Sequence, residues 1–370
     1  MRDDVVALFQ KGHQHFKANR LRQAQSVFEE GLELVPDSPY FLTGLGDVHR
    51  KLNNYDQAVH FYERVLRQNP KNLFALRGLG DVHRDQERHE DAILCWKRYL
   101  NHRPRDVYVL TRVANGYKLL ERRQESEIYF RKALKIRSRD RYALLGLADL
   151  YHKTDQVDAA IEYYEKVLET GAELINVLTM VGNLCWQRHD LEKAKGYFER
   201  ALRIEPANPY ALYGLGNCHR YEGDYQGAIE LWERILQTDT GTVNMLSRLG
   251  DAYRNVGNLE AAEEIYDAIL DKGYDKYTLL GLAKLRCAQG RIADTYDIFH
   301  QMLIQEREDP RFISDLGQLL TEHDSPDKFA AFYRRVLKDE QVPEETRERL
   351  RNFAEPPADR NDADSSGSPS

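Results

Sequence analysis

The heptapeptide GLGDVHR occupies residues 44–50 and recurs unchanged at 78–84, 34 residues further on. Relatives follow in phase: GLADLYH at 146–152, GLGNCHR at 214–220 and RLGDAYR at 248–254. Along that step a small residue returns at Gly12, Gly46, Gly80, Ala114, Ala148, Gly182, Gly216 and Gly250, then at Ala283 and Gly317. Twelve residues after each of the first nine stands Ala24, Ala58, Ala92, Ser126, Ala160, Ala194, Ala228, Ala262 or Thr295. An aromatic comes four residues later, at Phe28, Tyr62, Trp96, Phe130, Tyr164, Phe198, Trp232, Tyr266 and Phe299. A fixed period of this length demands a stack of like units, each touching only its neighbours, and leaves no place for one thick core.

Each unit reads as two helices. In YFLTGLGDVHRKL, Leu42, Leu45, Gly46 and His49 fall at helical spacing, and in YDQAVHFYERVLRQNP so do Ala58, Tyr62, Val65 and Leu66. Polar breakers separate the halves at Asn53-Asn54, Gly223-Asp224, Gly257-Asn258 and Gly290-Arg291, and prolines close units at Pro36, Pro70, Pro104 and Pro206. A helical hairpin with small residues at its closest approach cannot bury its apolar face alone, so hairpins must stack. With 42% hydrophobic and 31% charged residues, the composition suits many thin amphipathic elements.

Units of 34 residues with Leu-Gly in helix A, Ala and an aromatic in helix B, and a closing Pro resemble tetratricopeptide repeats. The resemblance covers about residues 5–340 as ten units, beginning near Val5, Pro39, Leu73, Val107, Arg141, Ile175, Pro209, Val243, Lys276 and Pro310. It implies an all-α, right-handed α-solenoid, a superhelix of about ten hairpins spanning 1–340. Leu42, Leu76, Leu110, Leu144, Leu178, Leu212 and Leu246 stand where the family often has a tryptophan. The last unit departs most, with Pro326 opening its helix B and Phe329 in place of the alanine. Residues 341–353 are expected to form a C-terminal capping helix, with Pro343 near its first turn and Val342, Leu350 and Phe353 along one stripe. The acidic, Ser-rich tail 354–370 is expected to be disordered.

Sharper chemistry finds little support. A dinucleotide loop needs its glycines between a strand and a helix, whereas these glycines repeat inside a helix. His83-Arg84-Asp85 copies a kinase catalytic triplet without the other kinase motifs. His15, His49, His83 and His219 share one repeat position, facing helix B, and are expected to pack rather than to ligate a metal. Cys95, Cys185, Cys218 and Cys287 lack metal or disulfide spacing and read as buried thiols in a reducing compartment. No cofactor, metal or catalytic residue is expected, and the chain reads as no enzyme. No apolar run is long enough to span a membrane, and the acidic N-terminus does not resemble a signal peptide, so a cytoplasmic location is expected. A net charge of −7 argues against nucleic acid.

What remains is one face of helix A, carrying the second, fifth, ninth and twelfth residues of each unit, which the family resembled uses to line its concave peptide-binding groove. The second position supplies Tyr40, Phe74, Tyr108, Tyr142 and Tyr210, and the fifth supplies Arg77 and Tyr213. The ninth supplies Asp47, Asp81, Asn115, Asp149, Asn183, Asn217 and Asp251; the twelfth supplies Arg50, Arg84, Lys118, Arg220 and Arg254. Amide and carboxylate groups suit a peptide backbone, aromatics offer apolar area, and arginine binds carboxylates. Asp47–Arg50, Asp81–Arg84 and Asp251–Arg254 could instead pair along their own helices. Asp81 and Arg84 are expected to be dispensable for folding. The expected function is a protein-interaction scaffold or adaptor holding a protein or peptide, with an acidic partner favoured by residues 107–140, which carry nine Lys or Arg against four Asp or Glu. The carboxylate clamp of some relatives, with Lys at the fifth and Asn at the ninth position of one repeat, has no match. A single-stranded-RNA reader and a regulatory subunit of a separate enzyme are the alternatives. Val6, Phe9 and Phe16 fall on the groove side of the first unit, where exposure would invite a homo-oligomer contact.

Overall fold

The computed structural model describes residues 3–171, 173–238, 241–305 and 310–354, in which the chain forms twenty-one helices and no strand. They run in successive pairs, helix A then helix B: Asp3–Lys17 with Leu21–Leu34, Pro39–Lys51 with Tyr55–Gln68, Leu73–Asp85 with His89–Leu100, Val107–Leu119 with Arg123–Ile136, and Arg141–Lys153 with Val157–Leu168. Ile175–Gln187 and Leu191–Ile204 make the sixth pair. Pro209–Tyr221 with Tyr225–Leu236, Val243–Asn255 with Leu259–Leu270, Lys276–Ala288 with Ile292–Gln305, and Pro310–His323 with Pro326–Val336 complete ten. A final helix spans Glu344–Ala354. The chain forms two compact units, Met1–Leu184 and Cys185–Ser370, in each of which hairpins pack against their sequence neighbours.

Local chemistry explains the starts and stops. Asn72, Asp106, Asp140, Asn208 and Asp275 each precede a helix A and accept the backbone N–H three residues on, satisfying one of the helix's orphan donors. Between A and B the backbone turns through a left-handed residue. Asn53 and Asp155 take φ near 60° there, and Gly223, Gly257 and Gly290 fill the same role in the second unit.

The core of each unit is a row of aromatics packed on helix A, and Phe28, Tyr62 and Tyr266 are held by glycines from two hairpins. Tyr62 lies against Gly46 of its own hairpin and Gly78 of the next, so that a Cβ built on Gly46 would sit 2.7 Å from the ring. Phe28 meets Gly12 and Gly44, and Tyr266 meets Gly250 and Gly281, in the same way. The motif GLG is thus a two-sided slot: its second glycine receives the aromatic of its own helix B, and its first receives that of the preceding repeat. Trp96, Trp232, Tyr164, Phe130 and Phe198 are likewise 1% exposed or less. Where the small residue of helix B is Ser126 or Thr295, the hydroxyl donates to the helix A carbonyl of Ala114 (2.9 Å) or Ala283 (3.4 Å) and stays buried.

All four cysteines are buried and free, and burial pushes the Cys95 and Cys218 thiols up to about 11. The described residues contain no cluster of metal-binding side chains. His49 stacks on Phe61 at 5.4 Å, and neither the His49 nor the His83 Nδ1 has a hydrogen-bond partner among the described residues. His15 and His219 are only half-buried; they engage Arg20 and Asp224. Val342 and Leu350 join the last core cluster with Phe332 and Val336, and residues 355–370, which include nearly all of the tail read as disordered, lie outside the described residues. Among those residues, no helix is long and apolar enough to cross a membrane.

Two glycine substitutions should move stability in opposite directions. Gly46→Ala forces a methyl into the Tyr62 ring and should lower Tm, at a cost of about 1–3 kcal/mol for overpacking. Gly196 has nothing within 4 Å of a built Cβ, so Gly196→Ala should raise Tm through about 0.5–1 kcal/mol of helix propensity. Thermal unfolding of the two variants checks both signs. Burial lowers the pKa of His49 and of His83 below the ordinary 6.5. Between the lowered value and 6.5 the unfolded chain binds more protons than the folded one, so stability is complete above about 6.5 and falls as the pH drops through that window. Denaturant titrations from neutral to mildly acidic pH should show this slope, and His49→Leu with His83→Leu should flatten it.

Candidate functional site

The helix A face in the first unit builds a cleft of about 580 Å³, bounded by the first four repeats. Its rim is aromatic: Tyr40, Phe74 and Tyr108 are 49%, 66% and 57% exposed, because the second residue of helix A points away from both neighbouring helices. Arg77 lies between them, its guanidinium 5.8 Å from the Phe74 ring, and has no carboxylate partner among the described residues. Deeper in the wall, the Tyr62 hydroxyl donates to Asp47 Oδ1 at 2.6 Å. Burial raises the Asp47 pKa above the ordinary carboxylate range, against that hydrogen bond and the nearby charges of Arg50, Arg77 and His13.

Most of the ninth and twelfth positions are not free, which corrects the sequence expectation. Where helix B carries tyrosine, its hydroxyl holds the ninth-position aspartate of the same hairpin: Tyr62 on Asp47, Tyr164 on Asp149 at 2.8 Å, and Tyr266 on Asp251 at 2.8 Å. Each aspartate in turn pushes its tyrosine's pKa up, after burial. Where helix B carries tryptophan, the ninth residue is held by an arginine at the sixth position of the next repeat. Arg112 Nη1 lies 2.5 Å from Asp81 Oδ1, and Arg248 Nη1 donates to Asn217 Oδ1 at 2.5 Å. Beside phenylalanine, Asn115 bonds its own helix at the Thr111 carbonyl, and Asn183 is exposed.

The twelfth-position cations are also engaged. Asp85 bridges two of them, accepting from Arg50 at 2.9 Å and from Arg84 at 2.7 Å, which holds its carboxyl below the ordinary value. Lys118 reaches Asp149 of the following repeat at 3.2 Å. Only Asp251–Arg254, at 3.4 Å, forms among the three pairs expected along single helices. In the other two pairs, Asp47 is held by Tyr62 of its own hairpin and Arg50 by Asp85 of the next repeat, while Asp81 takes Arg112 of the next repeat and Arg84 the adjacent Asp85. Arg220 stands apart in having no ion pair among the described residues; its Nε, like those of Arg50 and Arg254, is buried without an acceptor there, and burial followed by the charge of Arg248 lowers its pKa.

Tyr142, with Arg141 over its ring at 5.5 Å, and Tyr210, 72% exposed, keep open faces. Tyr213 donates to Asn244 at 3.0 Å. In the first repeat, Phe9 packs on Tyr40 at 5.5 Å and faces Phe28 and Phe41, and Phe16 stacks with His13. Both are half-buried, and only Val6 of the proposed self-association trio is exposed. The sequence reading missed Arg112 and Arg248 as cross-links, although the sixth position is arginine after both tryptophan repeats.

Asp81 and Arg84 are both paired within the chain, so substituting them tests the expectation that they are dispensable for folding. Asp81→Ala strands the Arg112 guanidinium and should destabilise the chain by about 3 kcal/mol, the scale for breaking a buried ion pair. Asp81→Asn recreates the Asn217 arrangement and should cost less than half as much. Chemical denaturation of the two variants ranks them.

Comparison with known proteins follows the same lines. Tetratricopeptide-repeat models match residues 9–72, 43–101, 141–206, 181–242 and 219–285, together more than half of the chain. A comparison with the curated proteins finds no match. Among solved structures, the C-terminal part of a TPR repeat-containing protein from Cytophaga hutchinsonii aligns with TM-score 0.57 and 17% identity, over 64% of this chain and 98% of that one. PilF of Pseudomonas aeruginosa aligns with TM-score 0.50 and 21% identity, over 57% and 96%. PilW, described as a type IV pilus biogenesis factor, gives 0.50 and 14%, over 57% and 98%. These likenesses speak to fold alone; the repeat models, the paired helices and the glycine slots together place the chain in the tetratricopeptide-repeat family, a protein-interaction architecture in general.

Proposed function

We propose that the protein is a non-enzymatic interaction scaffold that holds an extended peptide segment of a partner in the cleft of its first four repeats. The observation that carries this reading is Arg77: a guanidinium without an ion-pair partner among the described residues, framed by Tyr40, Phe74 and Tyr108 beside the half-buried Asp47. A guanidinium in such a setting gains from an incoming carboxylate, and three exposed rings supply apolar area to side chains on either side of it. Asp47 offers an acceptor to backbone N–H groups, which an extended peptide presents at every second residue on one side. The segment that fits is a short one with an acidic residue flanked by apolar ones. Asp47 and Asp81 in the same wall disfavour a phosphodiester backbone and so the RNA alternative.

The test is a peptide-display selection on the full chain, followed by affinity measurement on the enriched peptides. Phe74→Ala with Arg77→Ala should weaken binding by at least about tenfold, the effect of losing one charged contact and one aromatic anchor. Because Phe74 is exposed and Arg77 pairs with no carboxylate, Tm should stay close to that of the parent chain. Selected peptides that bind the double variant equally well would remove the cleft from consideration.

A further inference from the structure

The third and seventh repeats are built alike, and their difference is electrical. In both, helix B carries a tryptophan, Trp96 or Trp232, and the next repeat sends back an arginine, Arg112 or Arg248, to the ninth residue. In the third repeat that residue is Asp81, and a second carboxylate, Asp85, stands one place after the twelfth-position Arg84. Asp81 and Asp85 between them hold Arg112, Arg84 and Arg50. In the seventh repeat the corresponding residues are Asn217 and Tyr221. Both carboxylates are gone while the arginines, Arg220 and Arg248, remain.

The consequence is visible in the second unit. Arg248 has the neutral Asn217 amide oxygen as its partner and lies 5.8 Å above the Tyr213 ring. Arg220, half-buried, has no ion pair among the described residues and keeps its Nε away from solvent without an acceptor. The two cations act on each other unfavourably. The nearby groups are Asp251, Arg254, Tyr213 and Tyr225. Among the groups acting most strongly on Arg220, Asp251 is the carboxylate, and it already accepts from Tyr266 and Arg254. Neither Arg220 nor Arg248 has an ion pair among the described residues, so neither has a carboxylate of its own. Half-buried like charges without counter-charge are unstable, and an anion entering from solvent relieves them.

We propose that Arg220 and Arg248 form a carboxylate-binding site on the helix A face of the seventh and eighth repeats, filled by an acidic side chain of a bound protein segment. The class of ligand comes from the chain itself: in the third repeat the counterparts of Arg220 and Arg248, Arg84 and Arg112, are each met by an aspartate carboxylate, while Trp186 stands in the place of Arg50. Tyr213 and the exposed Tyr210 supply the apolar border of the site. The assignment stands apart from the cleft of the first unit, since it involves none of its residues.

The test supplies the missing charge covalently. The probe is the peptide Ac-Gly-Glu-Glu-Gly-NH2, with Ac-Gly-Gln-Gln-Gly-NH2 as its uncharged match, titrated into the full chain by calorimetry at fixed ionic strength. The glutamyl peptide should bind and the glutaminyl peptide should not. Asn217→Asp, which copies Asp81, should weaken binding by about tenfold or more, as expected for loss of a charge-assisted contact, and should raise Tm. Tyr221→Asp, which copies Asp85, should act in the same direction and keeps the test available if the first variant folds poorly. Because the first-unit cleft also attracts acidic peptides, the glutamyl peptide is titrated into the Phe74→Ala, Arg77→Ala chain as well, where binding at Arg220 and Arg248 should persist and Asn217→Asp should still weaken it. If that pair abolishes binding instead, the probe sits in the first unit and this assignment fails while the peptide-cleft reading survives. Equal binding of the glutamyl peptide by Asn217→Asp, equal binding of both peptides, or binding of a phosphoserine analogue with none of the glutamyl peptide would each overturn it.

Discussion

The stack rests on one steric fit, an aromatic ring of helix B closed against the backbone of helix A, and at Phe28, Tyr62 and Tyr266 the ring sits between two glycines that belong to different hairpins. A Cβ on Gly46 would come within 2.7 Å of Tyr62, and one on Gly44 within 2.7 Å of Phe28, so helix A can approach both rings only as bare backbone. Burying such a ring contributes about 2–3 kcal/mol, and because each ring is shared, the gain appears only when the next hairpin is docked. Stacking and hairpin closure are therefore one event. The cost is borne by the glycines, which weaken helix A by about 1 kcal/mol each relative to alanine. The fit returns more than that at each shared ring.

The identity of the ring then decides what becomes of the ninth position of helix A. A tyrosine carries its hydroxyl to the groove side and requires an acceptor there, and Tyr62, Tyr164 and Tyr266 face Asp47, Asp149 and Asp251. A tryptophan brings no such hydroxyl, and Asp81 and Asn217 are left for an arginine from the following repeat. Phenylalanine asks for nothing, and Asn115 and Asn183 stay with their own helix or with solvent. The groove wall is thus partly an expression of the core behind it. Residues that look like a recognition ladder in one dimension are, in several repeats, the outer ends of internal hydrogen bonds.

That coupling explains how much could be read from the sequence. The helix pairs and the packing of Gly12, Gly46 and Gly80 were legible because they obey a single period. The exposed aromatics Tyr40, Phe74, Tyr108, Tyr142 and Tyr210 were legible too, since an apolar ring at a position outside the packing stripe has nowhere to be buried. The ion pairs were not. Spacing of three along a helix suggested Asp47–Arg50 and Asp81–Arg84, yet a carboxylate chooses its partner by distance and burial in three dimensions. Arg112 arrives from 31 residues downstream, and Asp85 draws Arg50 from 35 residues upstream. A signal was present nonetheless: all three tyrosine repeats carry aspartate at the ninth place, and both tryptophan repeats are followed by arginine at the sixth.

The same coupling separates frame from function. Charges that close against their own chain, such as Asp81 with Arg112 or Asp85 with Arg50 and Arg84, have their electrostatics completed on folding and gain little from a ligand. A ligand gains most where the pattern leaves a charge unclosed, because it then provides a counter-ion that folding did not. Two places in the described chain meet that condition on the helix A face: Arg77 in the first unit, and Arg220 beside Arg248 in the second. Exposed tyrosines or phenylalanine flank both, so each offers a polar centre with an apolar border. In a repeat protein the ligand-facing residues are those at which the repeat's own pairing rule is broken, and comparing one repeat with another inside a single chain is enough to find them.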